Sequence, residues 1–104
     1  DVQQWWQLYH SLISPELDFD NLRANVIDGY VGPGYAKATA EIFDTIKLAA
    51  KTEGLILDPV YTGKGFHGLL DQLKQGRFDD SDDIVFVHTG GIFGLFPQRE
   101  QLAN

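Results

Sequence analysis

Two short runs, Leu55-Ile56-Leu57 and Ile84–Val87, are apolar at every residue, and each leads into a polar loop that carries glycine: VYTGKG after the first, HTGG after the second. Runs this short, bounded by turn formers, have the pattern of strands buried on both faces. Helical periodicity fills the intervals. Ile42, Phe43, Ile46, Ala49 and Ala50 mark one face of a helix that Thr39 can cap and Gly54 can end. Phe66, Leu69, Leu70 and Leu73 fall at i, i+3, i+4 and i+7 of a second, which Gly76 stops. The order helix, strand, helix, strand predicts right-handed βαβ units. The expected class is therefore α/β, a partial parallel sheet with flanking helices. Ligands of such sheets bind beyond the carboxyl ends of the strands, so the two glycine-bearing loops are expected to meet at one sheet edge.

Upstream, Trp5, Tyr9 and Leu12, with Trp6 and Ile13 beside them, give an amphipathic helix that Pro15 ends near Ser14. Glu16 to Ile27 is irregular and reads as connecting loop with a short strand. Asp28 to Tyr35, DGYVGPGY, has three glycines and a proline in eight residues, a shaped loop that allows close backbone approach. At 104 residues, 43% hydrophobic and 12% aromatic, the chain suits one small packed domain. A net charge of -7 disfavours nucleic acid and anionic membrane surfaces as partners. No apolar stretch is long enough to span a bilayer and no signal pattern opens the chain, so a cytoplasmic location is expected. The absence of cysteine excludes disulfides and thiolate metal sites. The absence of any Met, with a start at Asp1-Val2, suggests a missing upstream segment or a processed end.

Gly63-Lys64 fails as a phosphate-binding P-loop, because Asp58 stands where the first glycine belongs and Gly65 follows the lysine; Lys64 reads as an exposed lysine opening a helix. His10, His67 and His88 stand far apart with no carboxylate at ligand spacing, which predicts no metal site and structural roles for His67 and His88. Asp79-Asp80-Ser81-Asp82-Asp83 reads as a solvated loop rather than a cation site. Tyr35 and Tyr61 each sit in a glycine-proline loop, where a phenol either acts on a ligand or packs with its hydroxyl bonded. Thr62 and Thr89 have the ordinary reading of turn and cap hydroxyls.

Taken together, DGYVGPGY, TEGLILDPVYTGK, GLLDQLKQGRF and IVFVHTGG, in that order between Asp28 and Leu95, resemble the C-terminal third of the D-cysteine desulfhydrase and 1-aminocyclopropane-1-carboxylate deaminase family. The resemblance implies the tryptophan synthase β-subunit-like (fold-type II) architecture, in which two α/β domains hold pyridoxal 5'-phosphate between them. It makes residues 1–104 a C-terminal segment whose N-terminal portion, with the Schiff-base lysine and phosphate loop, is absent, so that the chain is incomplete alone. It matches Tyr35 and Tyr61 to the family's active-site tyrosines, candidates for proton transfer or carboxylate contact; a base there needs a lowered pKa. It places Thr62, Thr89 and Gly90 at the cofactor, the two threonines near the pyridine nitrogen.

In the deaminases the position of Thr62 is typically glutamate and that of Thr89 leucine. The resemblance with threonine at both implies a carbon–sulfur lyase, converting D-cysteine and water to pyruvate, hydrogen sulfide and ammonia. The expected partners are a small amino-acid substrate, the absent N-terminal segment and further copies in a homo-oligomer. The alternatives are a non-catalytic, self-associating α/β interaction module derived from this family, and a 1-aminocyclopropane-1-carboxylate deaminase. IFGLFPQREQL after HTGG and AKAT after Tyr35 depart from the family's commoner pattern.

Overall fold

The computed structural model describes residues 1–12 and 23–103. Ile13, Ser14, Pro15 and most of the irregular stretch after them therefore lie outside the described residues, as does the side chain of His10. The helix with the clearest periodicity, α2 (Ala40–Glu53), forms where its apolar stripe predicts. Ile42, Phe43, Ile46 and Ala49 are buried along one face and make up the core with Leu57. Burial of each large side chain contributes roughly 1.5–3 kcal/mol. Thr39 is the first flanking residue, and Gly54 ends the helix in the left-handed region at φ 65°. The N–H groups of Gly54 and Leu55 satisfy the carbonyls of Ala50 and Ala49, an ending that favours glycine.

The next helix, α3 (Thr62–Lys74), starts within the TGKG stretch that the sequence marks as loop. Its buried face is not the leucine stripe: Thr62, Gly63, Lys64, Gly68 and Gln72 are the buried residues, while Leu73 is exposed. Glycines on this face admit neighbours that a side chain would keep out. At Gly63 a Cβ would stand 2.5 Å from the Asp58 carbonyl oxygen and 2.9 Å from Ile46, and at Gly68 it would stand 3.0 Å from the Tyr30 ring. Helix α2 packs on α3 and on α4 (Arg99–Ala103), which follows a 3-10 segment, Ile92–Gln98.

The expected parallel sheet is not formed, and no described residue lies in a strand. The α/β class and the tryptophan synthase β-like architecture are corrected accordingly to a helical arrangement. A strand is held by a ladder of backbone hydrogen bonds to a neighbour, and no backbone hydrogen bond joins the two apolar runs. Leu57 spends its apolarity in the core, fully buried, whereas Val85 and Val87 stay 84% and 72% exposed. A side chain links the runs instead: His88 Nε2–H donates to the Ile56 carbonyl at 2.8 Å, and His88 Nδ1 accepts from Gly90 N–H at 3.0 Å. Together these two bonds define the neutral tautomer carrying its proton on Nε2.

The upstream helix α1 (Val2–Leu12) packs against none of the other described helices. Trp6 and Tyr9 meet edge to face at 5.7 Å, and Trp5 is 72% exposed. The radius of gyration is 16.6 Å, against about 13 Å for a compact domain of roughly this length. Much apolar surface is therefore left uncovered. Among the described residues no helix is long and apolar enough to cross a membrane.

Candidate functional site

The site is organised around Asp58, which is 1% exposed. Its carboxylate stands at the N-terminus of α3 and accepts from the N–H groups of Val60 (2.7 Å), Tyr61 (2.9 Å) and Thr62 (2.9 Å) and from the Thr62 hydroxyl (2.6 Å). The Thr62 oxygen in turn accepts from Asp58 N–H at 2.9 Å. Burial pushes the Asp58 pKa up, but the bonds from the Thr62 hydroxyl and the three backbone N–H groups outweigh it, leaving the carboxyl below the ordinary value. The HTGG loop closes over this group: Gly91, at φ 93°, comes so near that a Cβ there would stand 2.6 Å from Asp58 Oδ1.

Beside this cap an open cleft of about 390 Å³ is lined by residues that include Asp28, Tyr30, Tyr35, Tyr61 and Lys64. The Tyr61 hydroxyl donates to the Tyr35 hydroxyl at 3.0 Å, with the rings edge to face at 6.0 Å. This bond, followed by desolvation and the charges of Tyr35 and Asp58, raises the pKa of Tyr61. A base requires the opposite shift, so Tyr61 is suited to donate a hydrogen bond and not to abstract a proton. Tyr35→Phe is expected to return Tyr61 ionisation toward about 10, read from tyrosinate absorbance. An unchanged titration would show that the phenols do not meet. Because the folded-state value is raised, the associated stability is present below the unfolded value and is lost as pH rises through the folded one.

Lys64 is buried at the base of this cleft, and its ammonium donates to the carbonyls of Val31 (2.6 Å) and Gly34 (3.0 Å). It is thus a cross-link to the DGYVGPGY loop and not the exposed lysine that its neighbours in sequence suggest. Tyr30 ties the same loop further along α3: its hydroxyl donates to Asp71 at 2.5 Å and accepts from Gln72 Nε2 at 2.7 Å. The bond to Asp71 leads the causes that raise the Tyr30 pKa. Beside Tyr30, whose ring meets that of His67 edge to face at 6.4 Å, His67 Nδ1 donates to the Thr45 hydroxyl at 2.9 Å, which itself donates to the Glu41 carbonyl.

Tyr35 and Tyr61 are therefore brought together, and Thr62 lies behind them with its hydroxyl engaged by Asp58. Thr89 and Gly90 are exposed on the neighbouring loop. Sequence reasoning missed Asp58, Lys64 and Tyr30. For Asp58 the signal is an acidic residue just ahead of a helix, the usual place for a side chain that caps a helix start; for Lys64 and Tyr30, whose partners lie 30 or more residues away in sequence, the local sequence carries none.

Pyridoxal phosphate does not fit these residues. Its aldehyde needs a lysine amine able to condense with it, and its phosphate needs a helix N-terminus or an amide-lined loop. Lys64 is the lysine that lines the cleft, and its ammonium is held on two carbonyls. The N-terminus of α3 already holds the Asp58 carboxylate, whose charge repels a phosphate. With no sheet among the described residues either, the expectation of a pyridoxal-phosphate-dependent carbon–sulfur lyase acting on D-cysteine is corrected: the described residues do not build that active site. Nor do they include a group of three or more His, Cys, Asp or Glu side chains able to hold a metal ion.

In sequence, residues 8–90 match the family described as "Pyridoxal-phosphate dependent enzyme". The chain is also similar to a Thermotoga maritima protein provisionally named 1-aminocyclopropane-1-carboxylate deaminase, with 46% identity over 77 residues. That alignment covers 74% of this chain and 23% of the Thermotoga protein, so the chain spans about a quarter of the curated relative's length. A match over most of the chain, running from α1 through the HTGG loop, places it by descent even though the fold and the site differ from expectation: the chain belongs to the pyridoxal-phosphate dependent enzyme family.

Proposed function

We propose that this chain is a non-catalytic, self-associating helical module of that family. The observation that carries the reading is the apolar surface left open at the C-terminal end: Val85, Val87, Phe93 and Phe96 are all more than 60% exposed. Phe93 and Phe96 are neighbours, with ring centroids 6.1 Å apart, and exposed apolar surface of this kind marks an association site in a folded protein. Size-exclusion chromatography with light scattering tests it. The expected result is a species of at least twice the chain mass of 11.6 kDa that dissociates on dilution, and whose Phe93→Glu variant runs as a monomer. A monodisperse monomer at all concentrations would overturn it.

The identity to the Thermotoga protein favours a second reading, in which the chain is the corresponding quarter of a 1-aminocyclopropane-1-carboxylate deaminase. Its apolar surface is then covered by the remainder of that protein. Under this second reading Tyr35 and Tyr61 form the wall that a small amino acid would meet, and Thr89 and Gly90 remain candidates for the cofactor side. Co-expression with the part of the Thermotoga protein that this chain does not cover separates the readings: a heteromeric complex that displaces self-association supports the second.

A further inference from the structure

The DGYVGPGY loop leads into one strained residue. Gly34 has φ 146°, and Ala36, directly after Tyr35, is the described non-glycine residue with positive φ, at 54°. For a residue with a Cβ that conformation costs roughly 1–2 kcal/mol, and it persists only where the surroundings over-determine it. The surroundings here are hydrogen-bond donors on the loop's carbonyls. Lys64 Nζ holds Val31 O and Gly34 O, Lys37 N–H also reaches Gly34 O at 3.2 Å, and Gln98 Nε2 reaches Ala36 O at 3.3 Å. Of these donors Lys64 is the buried one, 7% exposed. Its two bonds flank Gly32-Pro33 and fix where the loop turns toward Tyr61. A buried ammonium bonded to carbonyls is expensive to desolvate, which makes it an unusual choice for a site that needs only packing.

We infer that Lys64 is a positioning residue: its ammonium straps the glycine-proline loop to α3 and so sets the Tyr35–Tyr61 contact across the cleft. Lys64 lies one turn beyond the Asp58 cap, so the strap and the cap each hold one of the two tyrosines. Tyr61 is fixed by its own N–H on Asp58, and Tyr35 by the carbonyl of the residue before it on Lys64. The inference concerns geometry within one chain and stands whether or not the chain self-associates.

The test is NMR on the whole chain with labelled tyrosine and lysine. In the Lys64→Met variant, which keeps the length of the side chain and removes the donors, the Tyr35–Tyr61 inter-ring NOE should be lost. Tyr61 ionisation should fall toward the ordinary tyrosine value of about 10, with the helical signals of α2 and α3 unchanged. Lys64→Arg, which restores donors, should recover both signatures in part. A folded Lys64→Met variant with the NOE and the Tyr61 titration intact would overturn the inference. If Lys64→Met does not fold, the wild-type chain decides. Lys64 Nζ protons protected from exchange, with NOEs to Val31 and Gly34, support the strap; exchange as fast as at the exposed Lys51 and Lys74 overturns it.

Discussion

Gly63→Ala should destabilise the chain by about 2–3 kcal/mol, the upper range for overpacking a closed contact. Its new Cβ would meet the Asp58 carbonyl oxygen at 2.5 Å and the Ile46 side chain at 2.9 Å. Ile46 can move, but the carbonyl is backbone, and it also accepts the Gly63 N–H at 2.8 Å. Relief would pull α3 away from the Leu57–Asp58 segment and loosen the core of α2. The midpoint of thermal unfolding, followed by helical circular dichroism, should fall by roughly 10 °C or more. Gly65→Ala is the matched control. Its Cβ would stand 3.8 Å from Phe86, an ordinary contact, and alanine in a helix gains about 0.5–1 kcal/mol over glycine. Equal melting points for the two variants would refute the packing described for α3.

Asp58→Ala should cost about 3 kcal/mol or more, because it strips the acceptor from three backbone N–H groups and a buried hydroxyl, each of which costs about 1–3 kcal/mol when left without a partner. Asp58→Asn retains an oxygen acceptor and should lose less. The pH dependence distinguishes charge from shape. Since the Asp58 carboxyl is held below its ordinary value in the folded state, its stabilising contribution is complete above about pH 4, the unfolded-state value. It is lost as the pH falls through the folded-state value. Wild-type stability, measured by urea unfolding from pH 5 downward, should therefore decline more steeply than that of Asp58→Asn. Parallel curves would mean that the carboxylate is not the acceptor for the start of α3.

How far the chain can be read from its residues depends on whether a residue's task shows in its neighbours. Helix α2 is legible because five apolar residues recur at helical spacing and a glycine stands where the helix must stop. The runs 55–57 and 84–87 are not, since an apolar run of three or four residues has no periodicity of its own. Whether it becomes a strand depends on a backbone partner elsewhere. Helix α3 misleads for a related reason: its leucines form the regular stripe, yet its glycines and Lys64 face the interior, because Tyr30 and the Asp58 carbonyl need the room. Tyr35 and Tyr61 stand out as loop phenols in sequence, and they do touch, but through loops held by Lys64 and Asp58 rather than at a sheet edge. Thr62 stands beside Tyr61 in sequence while its hydroxyl turns inward to Asp58, a direction that only the three-dimensional arrangement reveals.

The described residues form helices and no strand, with one apolar run an extended core segment and the other an exposed surface. NMR of the chain in solution tests this arrangement directly, through backbone chemical shifts and NOEs at residues 55–58 and 84–88. Helical shifts are expected across Ala40–Glu53 and Thr62–Lys74, with no backbone NOE ladder between the two runs and a contact from the His88 ring to Ile56. A continuous ladder of inter-strand NOEs pairing 55–57 with 84–87 would show a sheet in place of this helical arrangement.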